Sequence, residues 1–174
     1  MTFKNTVDPM KIPSLSVIKK EMSNLPQAEL IEVLTALAKY SKENKELLNY
    51  LLFEADFESN YIDKVKVELD EQFTDLRVYK PNLLKKQLQK IARVLKKNIK
   101  YSGIKQTEIE LLIHFCLKMM EIRIKFHRYP VMLNLLKRQA VRIEKVISEL
   151  DEDLQSDYNG EVELITNYIG RENF

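Results

Sequence analysis

LLKKQLQKIARVLKKNIKYSGIK, Leu83 to Lys105, decides the fold class. It holds eight lysines or arginines and no acidic residue. With Leu84 as the origin and about 100° per residue, Leu88, Ile91, Leu95 and Ile99 fall between about −20° and +60°. Lys85, Lys86, Lys90, Arg93, Lys96, Lys97 and Lys100 fall between about 100° and 240°. Two separated arcs of this kind define an amphipathic helix, expected from about Asn82 to Tyr101, opened by Pro81 and stopped by Gly103.

The same period runs outward in both directions. Upstream, Ser14 is positioned to cap a helix carrying Leu15, Ile18 and Met22. Pro26 opens another with Leu30, Val33, Leu34 and Leu37 on one face, and Ser41 separates it from SKENKELLNYLLFEAD. That segment is apolar at Leu47, Leu48, Leu51, Leu52 and Phe53, around much of its circumference, which predicts a position between neighbours. From Ser59, Ile62, Val65, Leu69, Phe73 and Leu76 form one stripe.

Downstream, Thr107 and Glu110 have the spacing of a capping box before the most apolar helix, which runs from Ile109 to Ile122 and is expected at the centre. Pro130 begins a long helix, 131–156, with Met132, Leu136, Ala140, Ile143, Ile147, Leu150 and Leu154 on one stripe, closed by Asn159 and Gly160. The expectation is therefore an all-α protein of about seven helices, as stacked antiparallel hairpins, short and solenoid-like, or as a closed bundle. Length predicts one domain over 1–174, with 1–13 a loose N-terminal segment and 157–174 a C-terminal arm or short helix.

Three glycines and five prolines leave little material for hairpin turns, and a single cysteine, Cys116, excludes an internal disulfide. The start has no secretory core, and the apolar runs Leu111 to Leu117 and LLNYLLF from Leu47 fall short of the ~20 residues of a bilayer span. A cytoplasmic protein that does not cross a membrane is expected. The net charge of +2 conceals segregation: residues 1–79 carry ten basic and fourteen acidic side chains, 80–145 seventeen and four, and 146–174 one and eight. Such asymmetry speaks of partners or internal docking.

Catalytic material is sparse. His114 and His127 are the only histidines, and neither has metal-ligand spacing. Glu110, His114 and Cys116 share one helix, where a metal needs ligands from another segment, so no metal or cofactor is expected. Asp56 to Val67 fails as a calcium loop, with Tyr61 where a glycine must turn and Val67 where a carboxylate must chelate. No phosphate-cradling glycine loop and no G-x-S-x-G occur.

The basic residues remain. On the second basic helix, with Leu136 as the origin, Arg138, Arg142 and Lys145 lie near about 200°, 240° and 180°. A solvated helix normally mixes signs to gain i to i+4 pairs, and Lys80 to Lys105 does not. Three outcomes follow: the acidic stretch Asp151 to Glu163 folds back over the basic face, the face meets an acidic protein, or it meets nucleic acid. The leading expectation is a non-enzymatic helical interaction domain that binds an acidic protein partner through Lys86, Lys90, Arg93, Lys97, Lys100, Arg138, Arg142 and Lys145. Nucleic-acid binding through the faces of 82–101 and 131–156 is the alternative, although only Tyr79 and Tyr101 offer aromatic rings for stacking nearby. An enzyme with a site near His114 is the third.

Two passages, KENKELLNYLLFE at Lys42 to Glu54 and YSGIKQTEIELL at Tyr101 to Leu112, resemble an uncharacterised bacterial family of small all-helical proteins. The resemblance implies a helical cytoplasmic protein and brings no activity, cofactor or site residue.

Overall fold

All regular structure in the computed structural model, which describes residues 11–172, is helical: among the described residues there are nine α-helices and no strand. None of these helices is long and apolar enough to cross a membrane. Residues 1–10 of the expected loose segment lie outside the described residues. By its internal contacts the chain divides into two units, 1–48 and 49–174.

The first unit contains α1 (Leu15–Asn24), α2 (Gln27–Tyr40) and most of α3 (Lys42–Asn49). Ser14 makes no side-chain cap at α1. Ser41 does cap, since its Oγ accepts from the Asn44 N–H at 3.0 Å, and Asn44 Nδ2 donates back to the Leu37 carbonyl at 2.9 Å. None of the three helices contains a buried residue.

The second unit opens with a π turn, Tyr50–Glu54, in which the Ala55 N–H bonds to the Tyr50 carbonyl at 3.0 Å. The extra residue per turn rotates the apolar positions out of the 3.6-residue stripe. LLNYLLF therefore does not sit between neighbours as expected: Tyr50 is buried, while Leu51, Leu52 and Phe53 are 56%, 63% and 68% exposed.

Four helices follow the expected order: α4 (Glu58–Thr74), α5 (Pro81–Ser102), α6 (Lys105–Met120) and α7 (Pro130–Ile147). Pro81 and Pro130 occupy first-turn positions, where no intrahelical N–H bond is forfeited. Gly103 ends α5 in the left-handed region at φ 67°, donating its N–H to Ile99 at 2.9 Å. The central position of α6 agrees with its composition. It packs against α4, α5, α7 and the C-terminal helix, and it buries Ile109, Leu111, Leu112, Phe115, Cys116 and Met119.

α5 buries Leu84, Leu88, Ile91 and Leu95 as the arcs require. At its end the inward position passes from Ile99, which is half-buried, to Asn98. α7 buries Met132, Leu136, Ala140 and Ile143 but stops at Ile147. The expected continuation to 156 is interrupted because Asp151 is extended, at φ −64° and ψ 146°, and starts a separate short helix, α8 (Glu152–Ser156). The stripe read across the break because Ile147 and Leu150 still pack on the core. Asn159 and Gly160 open a helix where they were expected to close one: α9 (Asn159–Arg171) buries Ile165 and packs on α6 and α7.

Candidate interaction surface

α5 lies on the core through its leucine stripe, so its opposite arc is outward by construction. Lys86, Lys90, Arg93, Lys96 and Lys100 are exposed. Among the described residues, none of these five lies within ion-pair distance of a carboxylate. Arg93 Nε donates to the Gln89 carbonyl of its own helix at 3.3 Å. Lys97 is half-buried, with its ammonium 6.0 Å from the Tyr101 ring centroid.

Cations elsewhere are differently placed. Arg142 on α7 makes a bidentate pair with Glu108 on α6, Nε to Oε1 at 2.6 Å and Nη2 to Oε2 at 2.9 Å. Its pKa is raised, chiefly by that hydrogen bonding. Lys105 reaches the Glu149 carboxylate at 3.4 Å and its carbonyl at 2.9 Å. Arg138 and Lys145 are exposed on α7. No ion pair joins the carboxylates of 151–163 to α5 among the described residues, and α9, which carries Glu161 and Glu163, packs on α6 and α7.

The residues weighed for a reactive site are placed differently. His114 Nε2 is 2.7 Å from Asp70 Oδ1 on α4, and Lys118 is 3.6 Å from the same oxygen. Glu110 pairs with Lys66 of α4 at 2.9 Å. Cys116 is fully buried, and burial pushes its thiol up to about 12. Glu110 and His114 thus both pair with α4 while Cys116 points into the core, and no metal-holding group of three histidine, cysteine or acidic side chains occurs among the described residues.

Sequence reasoning missed a polar junction of four segments. Glu58, the first residue of α4, accepts hydrogen bonds from the Tyr50 hydroxyl at 2.8 Å, from Ser102 Oγ at 2.5 Å and from Thr107 Oγ1 at 2.5 Å. Thr107 is thus not the cap of α6, which begins at Lys105. It is the third helical residue and fully buried, so its hydroxyl has to be satisfied inside the protein. Next to this junction, Tyr50 and Tyr61 rings pack at 4.7 Å, and the Tyr61 hydroxyl donates to the Asn98 carbonyl and side-chain oxygen at 3.1 Å. The missing signal was tertiary: Thr107 is fully buried beside Glu58 of α4, which turns a capping residue into a core hydroxyl.

Two aliphatic residues were also missed. Val131 and Val141 belong to α7 but not to its buried stripe, and they are 46% and 65% exposed. With Asn134, Lys137 and Arg138 they line an open cleft of about 520 Å³ on the outer side of the helix.

Compared with known proteins, the chain matches no family model, no curated protein and no solved structure.

Proposed function

We propose that the protein is a non-enzymatic cytoplasmic interaction domain whose α5 face binds an acidic protein partner. The carrying observation is the row Lys86, Lys90, Arg93, Lys96 and Lys100, exposed along one helix with no carboxylate in ion-pair distance among the described residues. A positive row of this length attracts an acidic surface and rejects a basic one by like-charge repulsion. Arg142 acts as a structural tie between α6 and α7, so the binding set is carried by Lys86, Lys90, Arg93 and Lys100, with Arg138 and Lys145 on α7. We also take unit 49–174 as a closed bundle, because α6 packs against four helices and α5 meets α7, whereas a solenoid limits each element to its sequence neighbours.

The test replaces Lys86, Lys90, Arg93 and Lys100 together by glutamine. All four are exposed, so the fold is retained. Proteins captured from a lysate by the wild-type chain are identified and their purified forms titrated against both chains. The reading expects acidic partners whose affinity falls at least about tenfold in the variant. Unchanged affinity overturns it. Steeply salt-dependent retardation of mixed DNA or RNA, abolished by the same four changes, assigns the face to phosphates instead.

A further inference from the structure

We infer that the outer face of α7 is a seat for one acidic amphipathic helix of a partner protein, an inference that deepens the acidic-partner reading and rests on it. With Leu136 as the origin, Val141, Asn134, Lys145, Arg138, Val131 and Arg142 lie at about 140°, 160°, 180°, 200°, 220° and 240°. Two valines thus stand inside the basic arc, directly away from the buried stripe. Helix propensity does not place them there, since lysine, glutamate or glutamine are better helix formers than a β-branched residue at a solvated position.

The pair is about 15 Å apart along the helix, at 1.5 Å per residue over ten residues, which equals nearly three turns of a docking helix. An open cleft of about 520 Å³ runs over them. The chemistry on either side selects the occupant. Arg138 and Lys145 are exposed with no carboxylate partner among the described residues, and Arg142 is held rigid by its two bonds to Glu108. Aliphatic contacts at this spacing, flanked by cations, match a helix with apolar residues at i, i+3 or i+4, i+7 and i+10 or i+11 and acids beside them. A nucleic-acid backbone matches the cations but leaves Val131 and Val141 without a counterpart.

The probe is an acetylated peptide of about 15 residues made of leucine, glutamate and alanine, with its leucines on one face, compared with a scramble of identical composition. Both are titrated by fluorescence anisotropy into the full chain at about 150 mM salt. The amphipathic peptide is expected to bind at least about tenfold tighter than the scramble, and Val141→Asp is expected to remove that preference. Val141→Ala, which adds no charge, keeps the test valid should the aspartate disturb the fold, and it is expected to weaken binding severalfold. Equal affinity for the two peptides overturns the inference, as does indifference to both valine variants. Salt-sensitive RNA binding that is lost in Arg138→Gln and kept in Val141→Asp overturns it in favour of phosphate recognition. Should this seat fail while the α5 glutamine variant still loses its partners, the acidic-partner reading stands without it.

Discussion

Glu58 gathers three hydroxyl donors from three different segments, and each donor loses its acceptor if the carboxylate is removed. Thr107 is the most sensitive of them because it is fully buried. Thr107→Val keeps the shape and deletes one hydrogen bond to a charged group, so a loss of about 1.5–3 kcal/mol is expected in urea unfolding, largely restored in Thr107→Ser. Glu58→Ala strands the donors of Tyr50, Ser102 and Thr107 and is expected to cost more than Thr107→Val. The same interior predicts alkaline lability. Burial raises Cys116 from 9.0 to about 12, and Tyr50 and Tyr61 are also raised, burial being the largest cause for both. Each group keeps its proton in the folded state after the unfolded chain has lost it. Stability is therefore complete below about pH 9 and falls as pH rises toward about 12, by up to about 1.4 kcal/mol per pH unit for Cys116, and the two tyrosines add to the decline above about pH 10. Urea midpoints between pH 8 and 11 check this, and Cys116→Ala is expected to make the decline shallower. A flat profile contradicts it.

At the level of elements, local punctuation governs where helices stop, and it is measurable. Gly103 holds φ 67°, and no atom lies within 4 Å of the place a Cβ would take, so Gly103→Ala meets no clash and costs only backbone strain. About 1 kcal/mol of destabilisation is expected by urea titration. Ser41→Ala removes the cap of α3, also for about 1 kcal/mol of helix stability, read as faster amide exchange in residues 42–45. These same signals explain what was legible from sequence. The arcs of α5 and the stripe of α4 place Leu84, Leu88, Ile91, Leu95, Ile62, Val65 and Leu69 in the core because one face alone is buried. The stripe from Met132 to Leu154 misled, because a single extended residue, Asp151, breaks the backbone without disturbing the spacing of apolar side chains. The π turn misled in the opposite sense, leaving a dense apolar run partly in the open. For the surface, the missing acids of α5 were visible, while Val131 and Val141 become informative only once α7 has a defined outer side.

On the scale of the whole molecule, burial is unevenly divided. Every buried residue among those described lies at Tyr50 or later, and α1, α2 and α3 have none. Apolar side chains do occur in the first unit, yet Leu15, Ile31, Leu37 and Tyr40 are exposed. A chain of that length is close to the lower limit at which a hydrophobic core can offset conformational entropy without disulfides, metals or association. In the second unit, α6 is surrounded by four helices and Phe115, Leu69, Leu88 and Leu136 are fully buried together. Residues 49–174 alone are therefore expected to unfold in a single cooperative transition, with a urea midpoint close to that of the full chain. Residues 1–48 alone are expected to show partial helicity and no cooperative transition, since tertiary packing rather than propensity supplies most helix stability. Circular dichroism of both fragments during urea titration distinguishes the cases. A second fragment that melts gradually, or a first that melts sharply, contradicts the assignment of the folding core to α4 through α9.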